Sequence, residues 1–126
     1  MSIVASNSGQ TSLSSVELVN GQANLTDSSS TAVIAADADR FTYITDITIA
    51  VKAGASAILK IDILEATTVL MSFYVTVTTA VTGNVVVNLT TPIKTSAVNK
   101  AINAQSSASP TGFDGLVTVS GFQAKN

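Results

Sequence analysis

Eight carboxylate and six basic side chains are the only charged groups in this 126-residue sequence, which has neither histidine nor cysteine. Any chemistry must therefore begin with the acids. Asp37 and Asp39 alternate in "AADADR", and Asp27 and Asp46 are the others that could gather with them around a calcium ion. Calcium takes roughly six to eight oxygen ligands, often including a bidentate glutamate. No such loop is present, so these residues read as solvated turn acids. Asp62 and Glu65 form a second set, in the pattern of a glycosidase pair. That mechanism needs one carboxyl desolvated and both facing a cleft. Asp62 instead lies near Lys60 on the polar face of an extended segment, where solvation accounts for it.

The missing residue types exclude more. Without histidine there is no Ser-His-Asp triad, no imidazole metal ligand and no group that titrates unperturbed near neutrality. Without cysteine there are no disulfides, thiol nucleophiles or thiolate zinc sites, a usage compatible with a reducing cytoplasm. The expectation is a protein that is not an enzyme and carries no cofactor or metal. Its six Lys and Arg are scattered singly from Arg40 to Lys125. Nucleic-acid binding needs a basic stripe to displace phosphate counterions, so no nucleic-acid partner is expected.

No window holds the run of about 18 apolar residues that a membrane helix requires. The start, "MSIVASNSGQ", lacks the basic and apolar regions of a secretory signal. The tripeptides "NLT" at 24–26 and 88–90 match the glycosylation pattern and, with no such signal, read as chance. Sugar binding would want exposed aromatic platforms. There is no Trp; Tyr74 has outward parity and Phe113 falls in a loop, although an outward Tyr serves equally as a cross-strand packing partner.

The elements that must position these residues follow from a period of two. In "FTYITDITIAVK", residues 41–52, the odd positions carry Phe41, Tyr43, Ile47, Ile49 and Val51, against mostly polar even positions. A helix would scatter them round its circumference; alternation marks a half-buried strand. "AILKIDIL", "VLMSFYVTV", "NVVVNL" and "GLVTVSGF" repeat the pattern, the last with apolar residues on both sides. Gly54, "EATT", Gly83 and "ASPTGFDG" punctuate them. Connections are too short for helical crossovers, so sequence neighbours should pair antiparallel.

The ambiguous stretch "TPIKTSAVNKAINAQSS", 91–107, reads as a connector and a strand through Ile102 and Ala104. Pro92 would close the strand before it, with room for one helical turn near Thr95. Together with "STAVIAA" and an apolar island at Val16, Leu18 and Val19, this makes seven or eight strands. The expected fold is an all-β, antiparallel two-sheet sandwich, jelly-roll-like, over residues 29–126. Residues 1–28 are small and polar, and read as an N-terminal arm, a loosely attached first strand or a floppy terminus. Ile44, Ala50, Leu64, Leu70 and Val86 are apolar at outward parity, and their recurrence on neighbouring strands predicts a homo-oligomer interface.

The succession "STAVIAADADRFTYITDITIAV", "LKIDILEATTVLMSFYV", "NVVVNLTTPIKTSAVNKAINAQSS" and "GLVTVSGFQAK" resembles small jelly-roll proteins of tailed bacteriophage virions, over roughly residues 29–124. The match is one of pattern, with no chemical motif. The resemblance implies a homotrimeric head decoration (cement) protein, or a fibre or knob domain that binds a receptor or carbohydrate. A decoration protein would bind the major capsid protein or other virion proteins, sit on the capsid surface and assemble in the host cytoplasm. The arm, through Ile3, Val4, Val16 and Leu18, would lie along the shell.

Overall fold

Alternating apolar and polar residues, broken by glycine and proline turns, give eight strands: β1 Val16–Leu25, β2 Thr31–Ile34, β3 Phe41–Lys52, β4 Ala57–Glu65, β5 Thr68–Val77, β6 Gly83–Lys94, β7 Ile102–Ser106 and β8 Asp114–Ala124. This computed structural model describes residues 16–126, and no helix occurs among them. The strands form two four-stranded antiparallel sheets, in the orders β1-β8-β3-β6 and β2-β7-β4-β5. First pairs with last, second with seventh, third with sixth and fourth with fifth. The chain is thus one long hairpin with its tip at the β4–β5 turn, rolled up so that β3 also meets β8 and β4 meets β7. That is a jelly roll.

The interior lies between the sheets. Ile47, Ile49 and Val51 of β3 and Val117 and Val119 of β8 meet Leu59, Ile61 and Ile63 of β4 and Ile102 of β7, all fully or almost fully buried. Two glycines mark where the sheet edges touch. A Cβ on Gly21 of β1 would collide with the Val33 carbonyl oxygen of β2, and one on Gly83 of β6 with Val75 and Thr76 of β5. Bare backbone is needed at both corners.

From Val16 onward the segment expected as an arm is a sheet strand: β1 pairs with β8 along its whole length, Val16 opposite Ala124 and Leu25 opposite Gly115. The sandwich therefore begins before residue 29. Ile3 and Val4 lie outside the described residues.

Two irregularities revise the strand faces. The ladders of β3 slip between Ile44 and Asp46, leaving Thr45 out of register. Because side chains alternate, one extra residue turns every earlier side chain to the other face. Even positions Thr42 and Ile44 point inward before the bulge, and odd positions Ile47 to Val51 after it. Ile44, expected on the outer face, is completely buried. The same slip places residues 89–92 of β6 between the partners of Asp46 and Ile44, namely Asn88 and Ile93. Pro92 thus sits within β6, which continues to Lys94. An edge strand at a bulge tolerates the missing N–H.

In the second sheet Ile63 faces Met71 while Leu64 faces Val69, so Leu70 is the extra residue. Leu70, expected on the outer face, is half-buried against the interior, whereas Val69 is turned outward. Leu64 keeps the parity of Lys60 and Asp62 yet is buried, outside the interior cluster. Val86 remains outward and exposed. The expected helical turn near Thr95 is absent. Thr95 N–H donates to the Thr42 carbonyl at 2.9 Å, and Asn99, with φ 61°, donates to the Asp37 carbonyl at 2.9 Å.

Candidate interaction surfaces

Most of the acids are occupied locally. Asp27 Oδ1 accepts from Ser29 N–H at 2.8 Å and Asp37 Oδ1 from Asp39 N–H at 3.0 Å, each closing a turn. Arg40 lies 3.8 Å from both Asp37 and Glu17, and Asp46 accepts the Thr45 hydroxyl at 2.8 Å. No cluster of three or more metal-ligating side chains occurs among the described residues. Asp62 accepts the Ser72 hydroxyl at 2.6 Å and lies 3.9 Å from Lys60. Glu65 is buried and accepts from the N–H of Ser96 at 2.9 Å and from its hydroxyl, which ties the 95–101 connection to the end of β4. These two carboxylates hold structure. Neither is arranged as a hydrolytic acid over a cleft.

The surface of the first sheet is mostly neutral, its charges being Asp46, Lys52, Asp114 and Lys94. Its outward residues form rows across all four strands: Asn24, Leu116, Ala50 and Asn84; then Gln22, Thr118, Thr48 and Val86; then Asn20, Ser120, Asp46 and Asn88. Amides and hydroxyls dominate. A depression of about 340 Å³ lies at one end among Asn24, Ala50, Thr82, Leu116 and the 3.9 Å pair Lys52–Asp114.

The next row, at the opposite end, differs: Leu18, Phe122, Tyr43 and Lys94. The Tyr43 and Phe122 rings stack, with centroids 4.6 Å apart and planes 11° from parallel. Lys94 Nζ lies 4.1 Å from the centroid of Phe41 and 5.7 Å from that of Tyr43. Beyond Phe122, Leu18 is 86% exposed. A single odd-numbered parity for β3 hides this row, since it turns Phe41 and Tyr43 inward. The available signal was the pair Ile44–Thr45, apolar where the pattern wants polar and the reverse, which marks a phase slip.

On the second sheet, Tyr74 is 75% exposed opposite Lys60, and Ile58 is exposed opposite Thr76. Phe113, the other aromatic expected at the surface, is buried in the interior cluster. Between β1 and β2 a groove of about 390 Å³ runs from Glu17 to Gly21 and along Val33 to Ala35. Gln123 closes it, its amide donating to the Ala35 carbonyl and to Thr42 Oγ1, both at 3.1 Å. No helix among the described residues is long and apolar enough to cross a membrane.

The chain is thus an all-β, antiparallel two-sheet jelly roll. It resembles a chain of the capsid asymmetric unit of cyanophage Pam1, with a TM-score of 0.54 at 11% sequence identity, over 88% of this chain and 85% of that one. A solved virus-like particle of the extra small virus of the giant freshwater prawn, Macrobrachium rosenbergii, overlaps with a TM-score of 0.39 at 10% identity, over 86% of this chain and 79% of that one. No protein-family profile and no curated protein sequence matches.

Proposed function

We propose that this chain is a structural protein of a virus particle, and specifically a decoration protein that binds the outer capsid surface of a tailed phage and stabilises the head. The observation that carries the reading is the jelly-roll fold, which overlaps a chain of the Pam1 capsid asymmetric unit over 88% of this chain and 85% of that one. The local satisfaction of the acids supports a non-catalytic role. In this reading the partners are the major capsid protein and further copies of the chain in a homotrimer. Its place is the capsid surface, reached by assembly in the host cytoplasm. In this reading Ile3, Val4, Val16 and Leu18 contact the shell.

Cementing works here by multiplicity. Several modest apolar and hydrogen-bonding contacts, repeated by symmetry, raise avidity without one strong site. The test is to heat particles that lack this protein with and without purified protein added back. Restored resistance to DNA release supports cementing; unchanged lability rejects it. The exposure of Tyr74 favours a second reading, a receptor- or carbohydrate-binding fibre domain. Glycan binding that disappears in Tyr74→Ala would establish that reading instead.

A further inference from the structure

The aromatic row across the first sheet runs from an exposed apolar anchor on β1 to a cation on β6 that has no ion-pair partner among the described residues. We propose that it is the contact by which this chain docks on its coat partner, and that it recognises a carboxylate flanked by an apolar side chain on that partner's surface. The inference rests on the proposed virion role and names the chemistry of the contact.

Three observations carry it. Lys94 Nζ sits over Phe41 and beside Tyr43, and no carboxylate among the described residues lies within ion-pair distance of it. Arg40 pairs with Glu17 and Asp37, Lys52 with Asp114 and Lys60 with Asp62; Lys100 and Lys125 share with Lys94 the lack of such a pair among the described residues, but it is Lys94 that is held over aromatic rings. Lys94 therefore offers charge to a partner, and the rings hold the ammonium in place before the partner arrives. Next, the Tyr43–Phe122 stack fixes a flat apolar floor across β3 and β8, since neither ring can turn without losing the other. Last, Leu18 projects from the neighbouring edge strand. Aromatic residues such as this stacked pair are enriched at interface centres, and here an apolar anchor and a positioned cation flank them. The carboxylate is the complement that Lys94 selects, because a desolvated like charge there is repelled.

The experiment uses the full chain and purified particles that lack it. After binding, a zero-length carbodiimide joins lysines to adjacent carboxylates, and the peptides are sequenced by mass spectrometry. Binding is measured in parallel by co-sedimentation across a salt series, for the wild type, Lys94→Gln, Leu18→Ser and the opposite-sheet control Lys60→Gln. Unchanged circular dichroism checks the fold of each. The expected result is a cross-link from Lys94 to an Asp or Glu of the coat protein. Lys94→Gln and Leu18→Ser should each weaken binding by about tenfold or more, and Lys94→Gln should also flatten the salt dependence. Wild-type binding with Lys94→Gln equal to it overturns the inference and leaves the cementing role standing. A Lys94 cross-link found only to a second copy of this chain also overturns it. If the wild type binds no particles, the cementing role itself fails and this contact falls with it.

Discussion

Ile44→Ala separates the bulged register of β3 from uninterrupted alternation. With the slip at Thr45, Ile44 is completely buried in the interior cluster. The substitution then removes three carbons from the core, worth roughly 2.4 kcal/mol at about 0.8 kcal/mol each. A partly relaxed cavity raises the loss to about 3–4 kcal/mol, within the range seen for such truncations. For a domain of this size that corresponds to a melting point lower by roughly 10 °C or more. Without the slip Ile44 would face outward, as Thr48 does, and either truncation would change stability by no more than about 0.5 kcal/mol. The assay is urea unfolding followed by far-UV circular dichroism, at one fixed protein concentration because self-association would shift the midpoint. A midpoint that falls with an unchanged slope reports lost native stability. An Ile44→Ala protein as stable as Thr48→Ala would refute the register.

Gly21→Ala should destabilise by about 1–3 kcal/mol, because its Cβ meets backbone of β2 and β1 must move away; hydrogen exchange should show β1 amides opening first. Glu65→Ala removes the acceptor of both Ser96 bonds and should speed tryptic cleavage after Lys94 and Lys100. Gln123→Leu leaves the Ala35 carbonyl and Thr42 Oγ1 without their donor, with a cost of about 1–3 kcal/mol by chemical denaturation. Tyr74→Ala, at an exposed outward position, should leave the unfolding midpoint within about 0.5 kcal/mol of wild type.

The fold class was legible because a period of two survives in short windows. "AILKIDIL" and the second half of β3 point the way their parity says, with Leu59, Ile61, Ile63, Ile47 and Ile49 buried. Parity carried across Thr45 or Leu70 is a long-range claim, and one bulge residue reverses it. That is why uninterrupted alternation puts Ile44 on the outer face and hides Phe41 and Tyr43. Pro92 misled for a related reason: at a ladder break on an edge strand its missing N–H has no partner to disappoint. The strand character of 16–25 lay under small polar residues, since β1 turns Asn20, Gln22 and Asn24 to the surface and packs only its odd-numbered positions. Leu64 shows a further limit, for a residue on an outer face can still be covered.

The central claim is that this jelly roll coats a virus particle. Electron cryomicroscopy of particles with the protein present and deleted tests it most directly. The account predicts extra density at repeated positions on the outer shell, fitted by the two sheets with the Leu18–Lys94 end against the coat. Identical maps, with the chain absent from purified particles, would contradict it.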